Sequence, residues 1–459
     1  MQNAKCNRFL GSGCKVDGGS HFAFPIFHFS FFISQPTRFV RIPLLLSVCL
    51  ICASTLGAQE IVLDSFLGTG ARAMGMGGAY TALSDDFSGL FWNPAGLARM
   101  AVGEATAGFS FERFRNETSF YGAPAEYRSS STRLNAMGMA YPYPVFRGSL
   151  VLAGGYGRTG SFDSGLRIEG YDTASQFHKS GASEDRGALG AFVFGGAVDV
   201  APNLSLGVSL MRWQGRDEFD QELTMRDTQE AHGDTVRLYQ RFAATDRYTA
   251  WGVRGGLRYA HPSGVQFGAT VASPGTFDVR SELEDEFEDE LAGRTDTYPT
   301  ERFGDRYSLR LPFAFGVGIA WTGRGMTVAG DVDYANFQEI TYDQSPQTVL
   351  PHVEDFRTQY RNALRYHLGM EYREPRSGLA LRTGYYRDPI RYTGGGDVPE
   401  IRVEKDRQAF TFGMGGILEK TVILDLAVLV GSYRQIEGSR EDRVRTIRMF
   451  ASVGYRFRY

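Results

Sequence analysis

After residue 52 the chain contains no cysteine, because Cys6, Cys14, Cys49 and Cys52 are all it has. A disulfide framework, a cysteine-ligated metal site and a thiol nucleophile are therefore excluded from the remainder. A basic excess is missing too: 49 Lys and Arg stand against 52 Asp and Glu, so there is no positive surplus of the kind a nucleic-acid-binding face needs. Beyond residue 58 no apolar run reaches the roughly 18 residues that a membrane helix takes, so any membrane crossing is left to strands. Histidine is scarce, with five left after residue 58, and no serine spacing around His367, Asp331 or Asp333 marks a nucleophile. The expectation is a non-enzyme without cofactor or metal.

Glycine and aromatics are abundant instead. The 459 residues include 56 Gly, 34 Phe and 23 Tyr. Glycine with aromatics favours strands and tight turns over helices.

The amino terminus carries an export signal. Arg38 and Arg41 precede the apolar run IPLLLSVCLICA (42–53), and STLGA then ends in small residues at Gly57 and Ala58. A basic flank, a short apolar stretch and a small-residue cleavage site form a secretory signal peptide. Residues 1–37 read as a mis-annotated extension, with Val40 as an alternative start. Val48 and Ile51 stand where a lipidation signal wants small residues, which argues against a lipid anchor on Cys49 or Cys52. The mature chain, with 1–58 removed, holds 44 basic and 51 acidic side chains.

Alternation dominates the rest of the chain. Leu364, Tyr366, Leu368, Met370 and Tyr372 share one strand face, and Arg365, His367, Gly369 and Glu371 the other. Residues 309–321 place Leu309, Leu311, Phe313, Phe315, Val317, Ile319 and Trp321 on one side of a single expected strand. An apolar face of that length ending in Trp suits lipid. Such segments centre near residues 107, 137, 152, 194, 208, 254, 268, 315, 331, 368, 382, 413, 426 and 453. Short connections (141–149, 201–203, 261–264, 322–325, 373–378, 418–421) alternate with long polar ones (159–186, 214–246, 274–307, 337–361, 388–408). That is the pattern of a transmembrane antiparallel β-barrel with short periplasmic turns and long outer loops. The predicted fold is all-β, with a barrel of about 14 strands over 101–459. The last segment alternates from Ile447 to Tyr459 and resembles the terminal-aromatic signal read by the barrel-assembly machinery.

One stretch has no strand pattern. Residues 70–97 read GARAMGMGGAYTALSDDFSGLFWNPAGL, with Gly77 and Gly78, the pair Asp85 and Asp86, and the turn Asn93, Pro94 and Ala95. No strand–helix–strand unit surrounds its glycines, which rules out a dinucleotide site. The segment resembles the amino-terminal hatch of the FadL/TodX family of outer-membrane transporters for long-chain fatty acids and other hydrophobic compounds. PorV-like barrels, which act as secretion shuttles, share such a start. The resemblance implies a hatch over 59–100 folded inside the barrel, a bacterial outer-membrane location, and passive movement of a hydrophobic small molecule. It equally leaves open a barrel that binds exported proteins. It implies a strand kink that opens the wall sideways, for which Gly154 and Gly155 are the candidates.

For a carboxylate headgroup the lumen-facing candidates are Arg310, Arg365 and Arg448, with pairing to Asp331, Asp333, Glu371 and Asp425 as the structural alternative. The acidic run SELEDEFEDEL (281–291) is expected to be a solvated loop; it lacks calcium-loop spacing. Outer-membrane lipid and lipopolysaccharide are the expected surroundings.

Overall fold

The computed structural model describes residues 68–346, 355–362, 364–396 and 398–457. The export signal, the extension before it, residues 59–67 of the expected hatch and Tyr459 lie outside the described residues.

Fourteen antiparallel staves close into a barrel, since the first and last pair over their whole lengths. They are β1 (Gly103–Phe120), β2 (Ala123–Tyr143), β3 (Leu150–Ser161, continued by Ser164–Asp172), β4 (Phe177–Ala201), β5 (Leu204–Arg226) and β6 (Thr235–Ala260). Next come β7 (Val265–Ala272, continued by Thr276–Leu291), β8 (Glu301–Arg310, continued by Ala314–Gly323) and β9 (Met326–Ala335). The last are β10 (Arg365–Arg373), β11 (Ala380–Asp388), β12 (Ile401–Leu418), β13 (Val422–Glu437) and β14 (Arg440–Phe457). All of the segment centres expected from the alternation fall within these staves. Closure leaves no edge strand, the condition under which a sheet can stand in lipid.

The outer surface carries the apolar belt. Phe315, Val317, Ile319 and Trp321 on β8, with Phe313 just before its second piece, are 42–57% exposed, while Gly316 and Ala320 between them face inward and are buried. Large apolar groups this exposed, repeated on every side of the barrel, need lipid rather than water around them.

Two expectations are corrected by the structure. Three of the long polar stretches, 159–186, 214–246 and 274–307, are mostly strand, not loop: β4, β5, β6 and the outer pieces of β3, β7 and β8 run through them, whereas 337–361 and most of 388–408 are connections as expected. Above the belt both faces of a strand meet polar surroundings, so the apolar alternation fades while the backbone pairing continues. The acidic run 281–291 is likewise strand. Leu283 and Ser281 on it face inward and are buried, and Glu282 and Glu284 pair outside with Arg247 and Arg302.

The second correction concerns 309–321, which is two pieces rather than one strand. Leu311–Phe313 interrupts β8, and Ser273–Gly275 interrupts β7 beside it. Leu311 N–H donates to Gly275 O across the two breaks. Pro312 and Pro274 supply no ladder N–H, so the break falls where the sequence cannot pair. The face parity changes across it: Leu309 is buried and Arg310 points outward.

Inside the outer half of the barrel, Tyr248, Phe277, Tyr307 and Leu309 pack with Phe356 and Tyr360 from the β9–β10 connection. Phe337 and Tyr392, from the β9–β10 and β11–β12 connections, pack against the same cluster. Phe219, inside the stretch 214–246 read from sequence as a connection, is a buried inward residue of β5.

Candidate functional site

Residues 68–100 fill the inner half of the barrel, and nearly every one is buried. A short helix, α1 (Ala71–Gly75), opens the segment, and single-turn helices at Phe87–Leu90 and Pro94–Arg99 close it. Asp86 caps the first of these turns through Ser88 N–H (2.9 Å), and Asn93 caps the second through Ala95 N–H (3.1 Å).

The segment is held to the wall by backbone groups meeting buried side chains. The N–H groups of Tyr80 and Thr81 both donate to Asp331 Oδ2, at 2.6 and 2.7 Å. His367 Nδ1 lies 2.7 Å from Gly77 O, so this nitrogen carries the hydrogen, and Nε2 faces Asp333 at 3.2 Å. Asn93 Nδ2 donates to Thr81 O (2.8 Å) within the hatch and to Leu257 O (3.0 Å) in the wall. Arg72 joins Asp85 (2.5 Å) to Glu371 (3.2 Å), and Arg382 links Glu371 (2.7 Å) with Asp425 (2.6 Å). These charges are buried but compensated, the arrangement in which a buried ion network persists.

Glycine makes the close approach possible. Gly77, at φ 65°, lies against the backbone of Leu368 and Tyr385, where a Cβ would stand 2.7–2.9 Å from main-chain atoms. Gly384 opposite has no room for a Cβ either. Gly78 leaves space for the His367 ring, and Pro94 and Ala95 rest on Gly207 and Gly256.

Two of the three candidate arginines lie in the lumen. Arg365 binds Asp388 (2.8 Å) and Arg448 binds Glu112 (2.8 Å), both inside the barrel. Arg310 is corrected: it faces outward, exposed, and pairs with Asp343 (3.1 Å), because the break at Leu311–Phe313 reverses the parity on which the lumen assignment stood. The four acids point inward as expected: Asp331 serves the hatch, Glu371 and Asp425 pair with Arg382, and Asp333 faces His367 with Arg365 opposite it on the next strand.

Gly154 and Gly155 do not form the kink. The ladder runs through both, pairing Gly155 with Gly138 and Gly154 with Met139. Gly155 instead gives room to Phe87 of the hatch, as Gly157 does to Phe91. The interruption comes just beyond, where the β3–β4 register shifts between Arg158 and Gly160. There the bulge turns Arg158 inward beside Gly157, burying its guanidinium, which donates to Ser110 Oγ (3.1 Å).

The same place is a gap in the wall. β2 pairs with β3 only over Ala136–Tyr143, although β2 continues outward to Ala123 along β1. Side chains bridge the unpaired stretch: Ser131 Oγ donates to Asp163 Oδ2 (2.6 Å), and Arg133 pairs with Asp163. The hatch begins at this gap. Asn135, the bulged residue of β2, donates to Gly68 O (3.2 Å) and accepts from Gly70 N–H (3.1 Å), while Thr69 Oγ1 donates to Arg158 O (3.4 Å). Arg133, Asn135, Arg158 and Asp163 were not singled out by sequence, because a bulge leaves no periodic trace.

A cavity of about 480 Å³ lies in the outer half of the lumen. Its lining is mixed: Phe114, Leu166, Ile168, Tyr386 and Ile390 are interspersed with charged side chains, among them Glu112, Asp172, Lys179, Asp388, Arg407 and Arg448. Ser161, Asp163 and Gly165 of the gap line it. On the lipid side of the same strands Met137, Met139, Gly154, Tyr156 and Phe194 line an apolar groove of about 900 Å³.

Comparison with known proteins places this architecture. No family model matches the sequence, and no curated protein matches it. Solved structures do. The toluene transporter TodX of Pseudomonas putida aligns with a TM-score of 0.60 at 17% identity, over 85% of this chain and 99% of that one. The monoaromatic hydrocarbon channel CymD aligns at 0.54 and 16% identity, over 86% and 99%. A FadL homologue of Pseudomonas aeruginosa aligns at 0.57 and 13% identity, again over 86% and 99%. The chain has the fold of these FadL-type outer-membrane barrels, and its lipid-facing belt fits the bacterial outer membrane.

Proposed function

We propose, from a barrel-and-hatch fold shared with FadL-type transporters, that this protein moves hydrophobic compounds passively across the outer membrane and releases them sideways between β2 and β3. One observation carries the reading. The lumen cavity, with its mixed apolar and charged lining, the unpaired stretch of wall and the apolar lipid-side groove all border β2 and β3, and the hatch begins there. An apolar solute crossing the polar lipopolysaccharide layer needs a dry route, because its transfer from the bilayer to water is unfavourable. A sideways exit returns it to the bilayer without passing the hatch. Cargo of this class includes long-chain fatty acids and hydrocarbons. Arg448 and Glu112, paired in the cavity's lining, stand where a carboxylate headgroup would exchange for Glu112.

No cysteine follows residue 52, so the exit can be closed by chemistry at introduced thiols. Ser131→Cys with Asp163→Cys, bridged by a short bifunctional thiol reagent, should abolish uptake of labelled oleate and of labelled toluene by cells, and a cleavable bridge should restore it on reduction. Uptake unchanged by a verified bridge would overturn the lateral route. A barrel that takes up neither compound and co-purifies with exported proteins would leave the secretion-shuttle reading.

A further inference from the structure

Above the apolar belt four arginines stand side by side on the outer surface of the barrel. The pairings Arg216 with Arg247, Arg247 with Arg280, and Arg280 with Arg306 place them on β5, β6, β7 and β8 in one row. All four are exposed, and each alternates with a buried inward neighbour: Asp217, Asp246, Ser281 and Tyr307. Directly opposed side chains on adjacent strands have Cβ atoms about 5 Å apart, and like charges so placed destabilise the sheet.

The row is only half compensated. Arg216 pairs with Glu218 and Arg247 with Glu282, both at 2.6 Å. Arg280 and Arg306 have no ion pair among the described residues. Asp278, the other carboxylate on the outward face here, makes no ion pair with either. A run of like charges kept in register across four strands is costly alone and favourable against a polyanion.

Its height says which polyanion. Trp251 on β6 is exposed on the lipid side with Arg212 stacked over it at 5.1 Å, a pair that suits the edge of the hydrocarbon zone. Arg247 lies four residues further out on the same strand, about 10 Å higher along the membrane normal for a strand tilted by about 40°. That is the headgroup layer. In the outer leaflet this layer consists of phosphorylated glycolipid.

The geometry points to a lipopolysaccharide site: the row Arg216, Arg247, Arg280 and Arg306 binds the phosphates of lipid A from the side of the barrel, with Arg280 and Arg306 making the uncompensated contacts. Guanidinium forks match phosphate oxygens in pairs, and a row of them spans more than one phosphate. The site is on the opposite face of the wall from the lumen, so it stands whatever the cargo.

The test titrates delipidated protein in detergent with bisphosphorylated lipid A and with the same lipid after dephosphorylation, bound lipid being counted by native mass spectrometry. The wild type should prefer the phosphorylated lipid by about tenfold or more, the scale of one charge-assisted contact. Arg280→Glu with Arg306→Glu should lose that preference, whereas Arg324→Glu on a periplasmic turn should keep it. Should the double glutamate variant fail to assemble, Arg280→Gln with Arg306→Gln reads the same contacts. Equal binding of the two lipids by the wild type, or an unchanged preference in the assembled double variant, overturns the site.

Discussion

Asp331→Ala tests how the hatch is held. A single carboxylate oxygen of Asp331 accepts two hatch N–H groups, from Tyr80 and Thr81, and the side chain is 4% exposed. Removing it leaves two buried donors without an acceptor. An unsatisfied buried N–H costs about 1–3 kcal/mol, so local docking of residues 77–83 should weaken by about 2–6 kcal/mol. At about 1.4 kcal/mol per decade the undocked population rises at least roughly thirty-fold. The barrel keeps its closing ladder between β1 and β14, so the effect is confined to the hatch. Hydrogen exchange read by mass spectrometry in nanodiscs is the assay. Hatch amides should exchange faster by that factor while β10–β13 are unchanged. Asp331→Asn keeps one carbonyl acceptor and should show less than a tenfold change. Unaltered exchange at Tyr80 and Thr81 in a correctly assembled Asp331→Ala barrel would refute this account of the hatch.

Three further outcomes are expected of the same structure. Gly138→Leu puts a Cβ within 2.1 Å of the Phe87 ring, so it should expel Phe87 from its seat and make the hatch susceptible to protease added from the periplasmic side, without loss of the heat-stable barrel band on a gel. Arg133→Ala removes the ion pair to Asp163 across the gap and should raise the rate of labelled toluene uptake; a lower rate would mean that the pair guides cargo rather than closing the wall. In the outer collar, burial among Asp185 and Asp246 raises the Asp217 carboxyl to about 9, and burial raises Asp185 to about 7. Asp246 is raised likewise by burial, and Glu184 and Asp163 are the other acids near the cluster. A folded-state pKa above the unfolded one means the folded state holds more protons, so this stabilisation is full below about pH 4 and is lost as pH rises through 7 to 9. Denaturant unfolding of the outer strands should therefore become easier from pH 5 to pH 9, and Asp217→Asn, which mimics the protonated acid, should flatten that dependence.

Much of the barrel was legible because a two-residue period in the lipid belt is written into side-chain polarity. The runs from Leu364 to Tyr372 and from Phe313 to Trp321 face as their alternation says. The pattern ended where its physics ended. Above the belt, Glu282 and Arg280 outside and Ser281 inside are all polar, so the strand over 276–291 resembles a loop. Parity failed at Arg310 because the proline-containing break Leu311–Phe313 shifts phase without changing composition. The arginine row was illegible for a different reason. Arg216, Arg247, Arg280 and Arg306 come together only through register, which depends on turn lengths and bulges rather than on any local signal.

Glycine carries information that composition alone conceals. On the hatch side of the wall, Gly138, Gly155 and Gly157 receive aromatic rings, Gly207 and Gly256 receive the Asn93–Ala95 turn, Gly268 receives Thr81 O, and Gly369 and Gly384 receive the backbone at Met76 and Gly77. Each is an inward position in an alternating strand, where a barrel filled only by its own side chains would carry bulk. The inward glycines of β2, β3, β5, β6, β7, β10 and β11 thus trace the footprint of the hatch on the wall. A plugged barrel and an open one of equal strand number should therefore differ in where their glycines fall in the alternation. By that measure these eight inward glycines are the complement of the hatch residues Gly68 to Met100. The hatch cannot leave as a rigid unit without exposing a wall shaped to hold it. At the Gly68–Gly70 end three hydrogen bonds, to Asn135 and Arg158, tie the segment to the wall beside the gap, so motion of that end alone leaves the glycine-lined footprint covered.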